Sequence, residues 1–197
     1  FFLGSFTPSF ERRFAHMLVL VSFSLNLLFV LLVAWASLRH FRRSEREPLG
    51  ARLLTLATAA GTAFNGWLAL RHPRPSDLEA AIALLLTLAA FAVFVAAVKA
   101  SRDGGFALAF SDATPGAVVD HGIYAVMRHP FYASYILYWL SWLPLSSLDP
   151  LSCLVAGGMI AAYSVAAHRE ERLLSQRLGE RYAALMGRSW RFMPGVY

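Results

Sequence analysis

The stretch Gly122-Ile123-Tyr124-Ala125-Val126-Met127-Arg128-His129-Pro130-Phe131-Tyr132 sets an arginine, a histidine and two tyrosines against the start of a membrane-length apolar segment. His129 precedes a proline, which pushes its backbone out of the α region, while Pro130 suits the first position of a helix. A helix is therefore expected to start there. Its free N–H groups and positive dipole end stand beside Arg128 and His129, an arrangement suited to an anionic group such as a carboxylate or phosphate. A small charged cofactor fits that chemistry. A second charged pair, Glu170 and Glu171, stands where the last apolar segment ends, just after His168. Neighbouring helical residues project about 100° apart, so the two carboxylates are not expected to enter one pocket together. Either one faces the site while the other pairs with Arg172 or Arg177, or both are solvated border charges.

These groups must be held by membrane helices. The chain has 197 residues, 57% hydrophobic and only 15% charged, with a mean hydropathy of +0.51. That composition describes an integral membrane protein. A span needs roughly 20 mainly apolar residues, and residues 17–38, 53–70 and 80–98 supply three. The stretch 131–167 is broken by Pro144 and by Ser146-Ser147-Leu148-Asp149-Pro150, so it reads as a helix, a tight turn and a returning helix. The expected fold is all-α: one membrane domain over 1–197, with five transmembrane helices and a hairpin of the fourth and fifth. Gly157 and Gly158, with Ala156, Ala161 and Ala162, are expected to let the fifth approach a neighbour closely. Asn26 and Asn65 are expected to bridge helices, for about 0.6 kcal/mol each. Cys153, the lone cysteine, reads as a small packing residue.

The first apolar run is too long for a signal-peptide core and has no small-residue cleavage site after it. The chain opens on Phe1 rather than methionine, which leaves room for residues before it. Its +6 net charge is distributed as in a membrane protein rather than a nucleic-acid binder. Fourteen of the 18 Lys and Arg residues flank the first and third connections and the tail, against four on the opposite side. The positive-inside rule then puts the N-terminus outside the cytoplasm and the third connection and C-terminus within it. Residues 99–120, with Gly104-Gly105 and Pro115-Gly116, read as a mobile cytosolic loop.

Along the fourth helix Tyr132, Tyr135, Trp139 and Trp142 recur every three or four residues. The two tyrosines suit an interfacial belt, but the tryptophans fall roughly 14 and 18 Å below Pro130. They either pack the bundle or line a slot for a lipophilic substrate or a cation. The tail 168–186 carries Leu173, Leu174, Leu178, Tyr182 and Leu185 on one broad face and reads as an amphipathic helix ended by Gly187. It either lies on the membrane or covers the site.

In order, Gly122-Ile123-Tyr124, Arg128-His129-Pro130-Phe131-Tyr132, a helical hairpin, Glu170-Glu171-Arg172-Leu173-Leu174, Leu178-Gly179 with Tyr182, and Pro194 resemble the isoprenylcysteine carboxyl methyltransferases and the related membrane phospholipid methyltransferases. The resemblance covers about the last 80 residues, and the ordered set is more specific than any one motif. Two positions depart from the family pattern: Ile123 stands where proline is common, and Ser134 where glycine is. The resemblance implies S-adenosylmethionine, giving S-adenosylhomocysteine, bound in the 99–197 part at the cytosolic face by His121, Gly122, Tyr124, Arg128, His129, Pro130, Tyr132, Glu170 and Glu171. The 1–98 part carries none of the match.

Methyl transfer from a sulfonium requires in-line alignment more than covalent catalysis. Arg128, Glu170 and Glu171 are the expected catalytic groups, and Tyr135, Trp139, Trp142 and Arg172 the expected contacts to a lipophilic acceptor reached from the bilayer. A carboxylate of the isoprenylcysteine type is the first acceptor to consider. A phospholipid amine or small thiol would need a base, supplied by Glu170, Glu171 or His168. Neither a metal ion nor nucleic acid is expected. Two readings of other classes stand beside this one: a membrane reductase or haem-dependent isomerase, given His16, His40, His72, His121, His129 and His168, and a non-catalytic lipid-binding protein.

Overall fold

Long runs of Leu, Ala, Val and Phe have no water to satisfy their backbone polar groups in lipid, so they close those hydrogen bonds within the segment as helices. A computed structural model describes residues 8–39, 49–71, 75–101 and 119–195. Their regular structure is helical: α1 Pro8–Arg39, α2 Leu49–Arg71, α3 Asp77–Ser101, a 3-10 turn Gly122–Ala125, α4 Pro130–Leu145, α5 Pro150–Leu178 and α6 Glu180–Arg188. The stretches His16–Ser37, Leu49–Arg71, Asp77–Ser101 and Pro150–Leu178 are long and apolar enough to cross a membrane. Their outward faces stay apolar, with Leu31, Leu56, Leu70, Leu85 and Leu154 exposed. The 16 residues of α4 rise only about 24 Å, against a hydrocarbon core of about 30 Å. Most of the residues 99–120, as well as His40 and His72, lie outside the described residues.

The helix starts follow local chemistry. Ser76 and Glu79 form a reciprocal capping box before α3, with Ser76 N–H donating to Glu79 Oε2 at 2.7 Å and Glu79 N–H to Ser76 Oγ at 3.3 Å. Asp149 accepts from Leu151 N–H at 2.8 Å, and Pro150 opens α5. Pro130 opens α4 as expected.

α4 is the central element, packed chiefly on α3 and also on α5, α1 and α2. Phe29, Phe94, Tyr138, Trp139 and Trp142 fill the core around it. Both asparagines bridge helices. Asn26 Oδ1 accepts from Thr87 Oγ at 3.2 Å and Ser141 Oγ at 3.0 Å, joining α1, α3 and α4. Asn65 Oδ1 accepts from Ser152 Oγ at 2.5 Å, joining α2 to α5.

Three expectations are corrected. The tail is not a separate helix from 168 to 186: α5 runs unbroken to Leu178, because no residue around Ala167 forces the backbone out of the α region. The break falls at Gly179, at φ 52° and ψ −128°, and Gly187 lies inside α6. Gly157 and Gly158 do not mediate close approach, since a Cβ on either meets nothing within 4 Å. The close approach is at Gly61, where a Cβ would stand 2.8 Å from the Trp139 ring. Cys153 is exposed rather than packed.

Gly179→Ala is expected to destabilise the protein by about 1–3 kcal/mol, through backbone strain alone. The space around its Cβ is open. Gly187→Ala, equally open but helical, should be neutral or gain about 0.5–1 kcal/mol. Thermal unfolding in detergent measures both; equal melting temperatures would contradict the strained turn.

Candidate functional site

The site is built where the start of α4 meets the end of α5. Gly122, at φ 59°, turns the chain close under α3, with Ala100 Cβ 3.2 Å from where its own Cβ would be. The 3-10 turn that follows buries Tyr124 against α3. Burial first, then the nearby Tyr135 and Glu170, raise the Tyr124 phenol pKa well above its ordinary value, so it stays neutral. Met127 forms an isolated parallel bridge with Trp190. Trp190 N–H donates to the Val126 carbonyl at 2.9 Å, Arg128 N–H to the Trp190 carbonyl at 2.8 Å, and His129 N–H to the Arg191 carbonyl at 3.1 Å.

Glu171 is the electrostatic centre. Its side chain is 5% exposed. Arg128 Nε donates to its Oε1 at 3.0 Å, while Arg191 reaches both oxygens, with Nε at 3.2 and 3.0 Å and Nη2 at 2.6 Å. Arg128 Nη1 donates in addition to the carbonyls of Met186, at 3.2 Å, and Ser189. The guanidinium forks and the carboxylate thus satisfy one another where water is largely excluded.

His129 stands between the two glutamates. Its Nε2 is 3.4 Å from Glu171 Oε1, without the alignment of a hydrogen bond, and its Nδ1 is 3.6 Å from Glu170 Oε2. Glu170 Oε1 accepts from the Tyr132 hydroxyl at 2.5 Å. The His129 imidazole stacks on Tyr132, with centroids 5.6 Å apart, and Tyr132 stacks in turn on Tyr163 at 5.7 Å. Tyr182 packs beneath from α6; burial and Glu171 raise its phenol pKa.

The expectation that the two carboxylates do not enter one pocket together is corrected. Both border the same imidazole, because His129 is flat and lies across the two projections. The arginines on Glu171 are Arg128 and Arg191, and the reading of both carboxylates as solvated fails. Arg172 is exposed and makes none of these contacts. His121 and Gly122 are exposed at the rim, and Pro130 is buried. His16, His121 and His168 are exposed, and among the described residues no group of three or more His, Cys, Asp or Glu side chains is placed to hold a metal ion.

Trp139 and Trp142 are fully enclosed, which fulfils the bundle-packing alternative; Tyr135 is half-buried. Trp139 Nε1 donates to the Tyr163 hydroxyl at 3.2 Å. Beyond Gly61 the Trp139 edge backs an open apolar groove between α2 and α5, lined by Leu53, Ala57, Phe64, Leu154 and Met159. Arg191 was not singled out in the sequence. Its signal was available only as one more arginine in a basic tail. No model of a known protein family matches the chain, and no curated protein is significantly similar to it.

Proposed function

We propose that the chain is an integral membrane methyltransferase that moves a methyl group from S-adenosylmethionine to a lipophilic acceptor, in the first instance an isoprenylcysteine-type carboxylate. The observation that carries this reading is the convergence of Arg128 and His129 with Glu170 and Glu171, 43 residues apart between Arg128 and Glu171, at one end of the α4–α5 pair. When bound, the cofactor supplies an electrophilic methyl on a cationic sulfur. The residues present suit the cationic end of such a group. Glu170 keeps 32% of its side chain accessible, so its carboxyl group can be met from outside the cluster. Tyr132 orients that carboxyl group through its hydroxyl, and its ring is stacked on His129 and on Tyr163. Glu171 holds Arg128 through Nε at 3.0 Å beside His129, at the start of α4, where the positive helix end favours an anionic group. For an amine or thiol acceptor, Glu170 is the group placed to take the proton.

The topology that goes with this function has five spans, α4 being the short one. The N-terminus lies outside the cytoplasm, and the α4 start and the C-terminus lie within it. A cysteine at position 76 should label from outside and one at position 184 from the cytoplasm; labelling of both from one side overturns the topology.

Arg128→Ala and His129→Ala should each weaken S-adenosylhomocysteine binding by about 1.5–3 kcal/mol, the cost of a charge-assisted contact. Calorimetry on the detergent-solubilised protein measures this. Wild-type affinity in both variants, or no binding by the parent, removes the assignment.

A further inference from the structure

The segment after α6 holds the polar cluster from two sides. Its backbone pairs with residues 126–129 through the three hydrogen bonds of Val126, Arg128 and His129. Its side chains close on the same place: Arg191 forks onto Glu171, and the Phe192 ring lies 6.1 Å from the His129 imidazole. A two-pronged arginine contact fixes the plane of a carboxylate, which a single donor does not. With that plane fixed, Glu171 Oε1 is the atom that Arg128 Nε meets at 3.0 Å and that His129 Nε2 approaches at 3.4 Å. Arg191 meets Arg128 and His129 through this carboxylate and through its own main chain.

We infer that Arg191 is a positioning residue: it acts through Glu171 on Arg128 and His129, so that the site is assembled only while the strap 189–192 is docked. The ligand side of this inference rests on the methyltransferase reading; the assembly side does not. Arg191 differs in this from Arg188, whose pair with Asp120 at 2.6 Å is more than half exposed on both sides and holds nothing else in the site.

The test is a double-mutant cycle on the full chain in detergent, read by calorimetry with S-adenosylhomocysteine. Arg191→Ala should weaken binding about ten- to a hundredfold, and Arg191→Lys should recover part of the loss. In a Glu171→Gln background, Arg191→Ala should cost less than about threefold further, because the group it acts through is already disabled. A strap that merely stabilises the fold would give equal losses in both backgrounds, and that equality overturns the inference, as does wild-type affinity in Arg191→Ala. Hydrogen exchange on the unliganded protein gives an independent arm. The amides of Arg128 and His129 should exchange about tenfold faster in Arg191→Ala, relative to amides of α3. If the parent chain binds no S-adenosylhomocysteine, the methyltransferase reading fails and exchange decides alone; unchanged protection at 128 and 129 then overturns the positioning role. Should Arg191→Ala not fold, Arg191→Lys takes its place in the cycle, with a smaller loss in the same direction.

Discussion

Replacing Glu171 with alanine should destabilise the protein by about 3–5 kcal/mol, the largest effect expected of any surface-proximal substitution in the chain. Arg128 and Arg191 are only 10% and 14% exposed at the side chain, and both direct their guanidiniums at this one carboxylate. Alanine would leave the two poorly hydrated guanidiniums without the carboxylate that they share. Glu171→Gln keeps the size and one acceptor but removes the charge, and should cost less, about 1.5–3 kcal/mol. The exposed pair Asp120–Arg188 has the same 2.6 Å separation as the Arg191 contact but sits at 54% and 57% exposure. Asp120→Asn should therefore cost under about 1 kcal/mol, because water and salt screen that pair. Thermal unfolding of the three variants in one detergent compares them directly. A Glu171→Ala protein as stable as Asp120→Asn would show that the buried cluster is not holding the α4–α5 junction.

Trp139→Ala should cost about 3 kcal/mol or more, mainly as lost packing. The side chain is fully enclosed. It packs edge-on against Tyr138 at 5.1 Å, bonds Tyr163, and presses against Gly61. In lipid the lost contacts, rather than transfer from water, supply most of the penalty. Trp139→Phe keeps most of the volume and loses the N–H to Tyr163, so about 1 kcal/mol is expected. The sequence alone offers Trp139 and Trp142 as contacts to a lipophilic acceptor. Enclosure of both rings puts stability first. The α2–α5 groove, backed by Trp139, is where any effect on a lipophilic ligand should then appear. A Trp139→Ala protein that unfolds like the parent would place the ring in open space and contradict the packing.

The helices were legible because helix formation in an apolar segment is a local matter. Composition alone excludes open strands and exposed loops from lipid, and proline marks the starts at Pro130 and Pro150. The bridging roles of Asn26 and Asn65 were equally legible, since a polar amide inside an apolar helix must find a partner across an interface. The chemistry-bearing residues were legible by type: Arg128, His129, Glu170 and Glu171 do meet. Their pairing was not. Periodicity reaches only one or two turns along a chain, which made Arg172 and Arg177 the natural partners for a glutamate beside them. The packing of α4 on α5 and the return of the chain after α6 bring Arg128 and Arg191 instead, from 43 and 20 residues away. The same limit hid the fate of the aromatic face of α4: its spacing shows a stripe, but whether a stripe lines a slot or fills a core depends on the helices that close over it. The unbroken course of α5 through His168 was decided at Gly179, where the short α6 folds back so that Tyr182 and Leu185 are buried. Sequence determined which segments are helices and which residues carry charge. Only the tertiary structure decided which faces meet, because burial and charge neutralisation are settled between segments and not within them.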